Sequence, residues 1–99
     1  MHRQNDTERF LSDLKRWTPT FRYQLLDRMN SDCKYFLGAG ARQNKYLWAG
    51  DPQLQIVYMK ALWDSFPEGQ KPEWLSYAQI CRLEQRMKAE EAQDKEEQL

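Results

Sequence analysis

The chain has 99 residues and a formal net charge of zero, 15 Lys and Arg against 15 Asp and Glu. That length makes one small domain, and a neutral total excludes both a strongly basic nucleic-acid coat and an acidic DNA mimic. The charge is nonetheless divided: residues 1–49 carry nine cations and five carboxylates, residues 50–99 six and ten, so a local positive face remains open.

Residues 1–5 read as a disordered start. Asn5 and Glu8 have capping-box spacing for a first helix over about 6–16. Phe10, Leu11, Leu14 and Trp17 form its apolar stripe, and Thr18-Pro19 breaks it. Thr20 is the expected cap of a second helix over about 20–37, with Leu25, Leu26, Met29, Cys33, Phe36 and Leu37 on one face. Gly38-Ala39-Gly40 ends it, with glycine in the left-handed C-cap conformation.

The connection over 41–50 is expected to plant Tyr46, Leu47 and Trp48 in the core. Asp51-Pro52 starts a third helix over about 52–66, Asp as cap and Pro at the first helical position. Ile56, Met59, Leu62, Trp63 and Phe66 are its core residues. Pro67-Glu68-Gly69 stops it, Trp74 and Leu75 dock on the core, and Ser76 caps a fourth helix with Tyr77, Ile80, Leu83 and Met87 inward. Residues 88–99 form a charged helical or frayed tail, in which Glu84/Lys88 and Glu91/Lys95 are favourable i,i+4 pairs. The fold class is all-α: four helices in one domain over 6–87, with two ordered, aromatic-bearing connections.

Few chemistries fit these residues. His2 is the single imidazole and Cys33 and Cys81 the two thiols, short of the ligand sets that zinc sites use, so no metal or cofactor is expected. Nucleophilic catalysis needs an activated Ser, Cys or Thr beside a base, and no such arrangement is visible. The chain reads as a non-enzyme. The glycines at 38 and 40 close a helix, whereas a phosphate loop opens one. Trp48, Trp63 and Trp74 are expected as core anchors. The unpaired cysteines fit a reducing cytoplasm, the N-terminus lacks a secretory pattern, and the apolar runs are too short to span a bilayer.

Arg22, Lys34, Arg42 and Lys45, with Tyr35 and Tyr46 nearby, suit single strands or RNA if they share one edge. A helix-turn-helix fits poorly, because more than ten residues separate the second and third helices.

Residues 25–87 carry a spaced pattern: Leu26-Asp27-Arg28-Met29, Asp32-Cys33, Tyr35-Phe36-Leu37-Gly38, Gly40, Arg42, Leu47-Trp48-Ala49-Gly50, Gln55-Ile56, Met59 and Pro72-Glu73-Trp74-Leu75. The pattern resembles the large polyvalent protein-associated domain family, eleventh of its numbered series. That resemblance implies a protein of phages, plasmids or integrative elements in a bacterial host cytoplasm, suspected of protecting incoming element DNA. It carries no catalytic residue across. Asp27, Arg28, Asp32 and Arg42 are its polar positions, and intrahelical pairing or capping is an alternative role for the first three.

The resemblance and the small size together lead to an expected function in counter-defence, of the anti-CRISPR kind. The expected partner is a type II CRISPR effector nuclease or its guide-RNA complex, bound stoichiometrically by a monomer or homodimer. Arg22, Arg42, Lys45 and Tyr46 are the expected partner-binding residues. The alternative is a small DNA- or RNA-binding accessory protein of phage or plasmid maintenance.

Overall fold

The computed structural model describes residues 3–98, with side chains over 7–88. Residues 1–2 of the expected disordered start, with His2, and Leu99 of the expected tail lie outside the described residues, as do the side chains of Asn5, Glu91 and Lys95. Among the described residues four helices follow in order: α1 Arg3–Leu14, α2 Pro19–Leu37, α3 Pro52–Asp64 and α4 Tyr77–Gln98. A single 3-10 turn over Asn44–Tyr46 interrupts the α2–α3 connection. The fold is all-α, as expected.

Local chemistry explains most boundaries. α1 begins at Arg3, ahead of the expected Asn5 cap. The cap of α2 is Thr18 rather than Thr20: its Oγ1 accepts from the Phe21 N–H at 3.1 Å. Pro19 then occupies the first helical position, where its missing N–H costs nothing. Asp51 caps α3 by accepting from the Leu54 N–H at 3.0 Å. At α4, Ser76 Oγ accepts from the Gln79 N–H at 3.1 Å, and Gln79 Oε1 accepts from the Ser76 N–H at 2.7 Å. That reciprocal pair satisfies two donors at a helix start.

α3 is the central element and packs against each of the other three helices. Leu26, Met29, Cys33, Met59, Leu62 and Ile80 are fully enclosed around it. Gln55 is enclosed with them and has both ends of its amide engaged. Its Oε1 accepts from the Ala49 N–H at 2.9 Å, and its Nε2 donates to Met29 O at 3.1 Å. One buried side chain thereby ties the 41–50 connection to α2, and a satisfied buried amide avoids the cost of an orphaned one.

α1 adds an aromatic layer. Phe10 stacks on Tyr58 of α3 with ring centroids 3.9 Å apart and planes 4° apart, and meets Trp17 edge-on at 5.4 Å. Two tryptophans depart from the expected core role: Trp48 remains 42% exposed and Trp74 43%. In the 41–50 connection Leu47 alone of the three expected anchors is buried. Among the described residues, no helix is long and apolar enough to cross a membrane.

Candidate recognition surface

The chain leaves α2 through a tightly hydrogen-bonded corner. The Gly38 N–H donates to Lys34 O and Tyr35 O, the Gly40 N–H to Tyr35 O at 2.7 Å, and the Arg42 N–H to Phe36 O at 2.8 Å. The expected left-handed glycine at the cap is absent: Gly38 has φ −113°. The left-handed residues are Ala41 (φ 52°) and Arg42 (φ 60°). Gly40 serves for space instead. A Cβ there would stand 2.8 Å from Tyr35 O, 2.9 Å from Tyr35 Cδ2 and 3.1 Å from Tyr46 Cδ2.

That close approach sets an exposed ring pair. Tyr35 and Tyr46 meet edge-to-face at 4.9 Å, and Lys45 Nζ lies 5.2 Å from the Tyr46 ring centroid. Both tyrosines are exposed. Arg42 braces the corner from below. Its Nη2 donates to Met87 O of α4 at 2.6 Å, and its guanidinium lies 5.4 Å from the Phe36 centroid.

Arg22 lies elsewhere. It sits at the start of α2, and the 15 residues from there to Leu37 span about 22 Å. Its Nη1 donates to Ser65 Oγ at 2.8 Å and Ser65 O at 3.2 Å, and its guanidinium lies over Phe66 at 5.2 Å. Ser65 is the C-cap of α3, so this cation closes a helix C-terminus, where the carbonyl dipoles favour positive charge. The expected shared edge of Arg22, Lys34, Arg42 and Lys45 therefore does not form. Arg42, Lys45 and Tyr46 share one corner, and Arg22 belongs to the α2–α3 junction.

Two other polar positions of the pattern, Arg28 and Asp32, have a local role. Arg28 pairs with Asp32 one turn on, at 3.5 Å. Cys33 is fully enclosed, its Sγ 3.6 Å from Met59 Sδ. Burial pushes its thiol up to about 12, against an opposing hydrogen bond from Gln55 and with a further rise from the Asp32 charge. A thiol this hard to ionise is not a nucleophile at neutral pH. Among the described residues, no group of three or more His, Cys, Asp or Glu side chains is placed to hold a metal ion.

A second exposed constellation was missed from the sequence: Trp74 beside Asn30 and Lys34 of α2 and Arg82 and Arg86 of α4. The i,i+4 spacing of 30/34 and of 82/86 was the available signal, but only the tertiary fold, which lays α2 and α4 along one recess, joins them.

Residues 19–87 match the family profile described as large polyvalent protein-associated domain 11. No curated protein and no solved structure matches the chain. The matched span runs from the first residue of α2 to Met87 and includes both exposed constellations, while α1 lies outside it. The chain belongs to the large polyvalent protein-associated domain 11 family, which associates it with phages and other mobile elements.

Proposed function

We propose that this domain is a non-catalytic counter-defence protein of a mobile element, acting by stoichiometric binding to a type II CRISPR effector nuclease or its guide-loaded complex. The observation that supports this reading is the hydrogen-bonded corner after α2. It presents the exposed Tyr35–Tyr46 pair with Lys45 alongside, braced to α4 by Arg42. Tyr is among the residues enriched at binding hot spots. A pre-formed corner also loses little conformational freedom on association.

The test is a titration of the purified protein against a type II effector cleaving target DNA, added before and after guide-RNA loading. Inhibition should saturate near one-to-one, and a folded Lys45→Glu/Tyr46→Ala variant should lose it. Failure to inhibit any of several effector orthologues would remove the assignment. Full inhibition at far below one equivalent would replace a binding mechanism with a catalytic one.

A further inference from the structure

A cationic groove runs between α2 and α4. It is a recess of about 300 Å³, with Asn30 and Lys34 on one wall, Gln79, Arg82 and Arg86 on the other, and Trp74 at its edge. Three of these side chains are cationic, and among the described residues no carboxylate lines the recess. The sorting is built into α4. Among the described side chains of α4 the carboxylate is Glu84, which faces α3, where Lys60 Nζ meets it at 2.9 Å; Lys88 of α4 itself lies 3.4 Å from it. Arg82 and Arg86 stay on the groove side, one turn and about 6 Å apart along the axis.

Trp74 is firmly mounted. The adjoining Leu75 O accepts from Trp63 Nε1 at 2.9 Å, Pro72 is buried, and Tyr23 lies 6.4 Å from the indole. The indole nevertheless keeps 43% of its surface exposed. It also borders a second recess, of about 370 Å³, lined by Tyr23, Gln24 and Asp27. Trp74 therefore borders both a recess with three cations and a recess with a carboxylate and an amide. Asn30 is only 7% exposed, and its Oδ1 is buried with no hydrogen-bond partner among the described residues.

We propose that this groove binds single-stranded nucleic acid, with phosphates along Lys34, Arg82 and Arg86 and an unpaired base stacked on Trp74. Cationic grooves combined with aromatic platforms suit single strands, because every base has a π-face and every linkage a negative charge. The ring requires an unpaired base, which a duplex does not offer. An acidic peptide would use the cations and leave the indole without a specific role. Asp27 repels phosphate, so the backbone lies on the arginine side and the base edge faces Gln24 and Asp27. This site is separate from the Tyr35–Tyr46 corner and does not depend on the CRISPR reading.

The test is fluorescence anisotropy with labelled 12-nucleotide dT and rU strands, a 12-base-pair duplex, and a poly-Glu peptide, over a salt series. Both single strands should bind more tightly than the duplex and the peptide, and a gap between them would separate DNA from RNA as the preferred source. Arg82→Gln/Arg86→Gln should lower the slope of log K against log salt by about 1.4, from roughly 0.7 per neutralised phosphate. Trp74→Ala should weaken binding at least tenfold, while Trp74→Phe, which keeps a stacking ring, should retain most of it. Lys45→Glu should leave the affinity unchanged, which separates failure here from failure of the nuclease reading. Circular dichroism of each variant checks that it is folded. The proposal is overturned by no binding at low salt, by affinity indifferent to both the arginine pair and Trp74, or by tighter binding of the duplex or of poly-Glu.

Discussion

Gly40 lies so close to Tyr35 that a methyl group at its Cα would stand 2.8 Å from the Tyr35 carbonyl oxygen. Backbone cannot yield as the end of a flexible side chain can, so Gly40→Ala should open the corner and part the Tyr35–Tyr46 pair. The expected loss is about 1–3 kcal/mol, the usual range for overpacking. Gly38→Ala is the contrast. Its Cβ would meet Lys34 O at 3.4 Å, an ordinary contact, at a negative φ. Chemical denaturation of the two variants should give clearly different midpoints, and equal midpoints would remove the steric account.

Arg42 and Lys45 belong to the same corner but should respond differently. Arg42→Ala loses a charged hydrogen bond to Met87 O and packing on Phe36, at about 1–2 kcal/mol. Arg42→Gly loses the same contacts but relieves a left-handed backbone, so it should be about 1 kcal/mol more stable than the alanine variant, less any entropy that glycine adds to the unfolded chain. Lys45→Ala, at an exposed position, should stay within about 0.5 kcal/mol of the parent. Urea melts of the three variants check the order.

The two thiols should separate kinetically. Cys33 is enclosed with its thiol pushed up to about 12, whereas Cys81 is half-buried. At pH 8 an aromatic disulfide reagent should modify one thiol per native chain quickly and the second only as fast as the protein opens. Cys33→Ala should abolish the slow phase alone. The neutral thiol is the native form, so its contribution to stability is full below the ordinary value of 9.0 and declines as pH rises toward 12. Fast modification of both thiols in the native protein would contradict the enclosure of Cys33.

Lys60 and Glu84 link α3 to α4 through a 2.9 Å ion pair. The Lys60 hydrogen bond holds the Glu84 carboxyl below its ordinary 4.5, and the Glu84 carboxylate holds the Lys60 ammonium above 10.5. The Glu84 contribution is therefore present above about pH 4.5 and is lost as pH falls through the lowered native value. The Lys60 contribution is present below 10.5 and is lost as pH rises beyond it. A Lys60→Met/Glu84→Gln double-mutant cycle should give a coupling of about 0.3–1 kcal/mol at pH 7, shrinking toward zero at pH 2–3. A coupling that is flat with pH would mean that the pair acts through packing alone.

Legibility followed the range of the interactions. Asp51-Pro52 and Ser76 announced the starts of α3 and α4 because a cap lies within three residues of the group it satisfies. Thr20 was mistaken for Thr18 as the α2 cap because proline was read as ending one helix rather than opening the next. The stripes through Leu26, Met29, Met59 and Ile80 foretold the core, since helical periodicity expresses burial directly. Trp48 and Trp74 were expected inside on composition alone, and each keeps over two-fifths of its surface outside. A large ring docks by one edge or face wherever the neighbouring backbone passes, and sequence spacing does not say which.

What the sequence determined by itself was an all-α fold, the caps that open α3 and α4, the core stripes, and a resemblance to one family. Only the tertiary structure decided which charges meet between elements. It sent Arg22 to the end of α3, placed Arg42 beneath the Tyr35–Tyr46 corner, and set Lys34 opposite Arg82 and Arg86 beside Trp74. The reason is geometric. A helix repeats every 3.6 residues, so its own faces can be read along the chain. Which faces of two helices oppose each other depends on how the core packs between them, a relation among residues some fifty positions apart that no local pattern encodes.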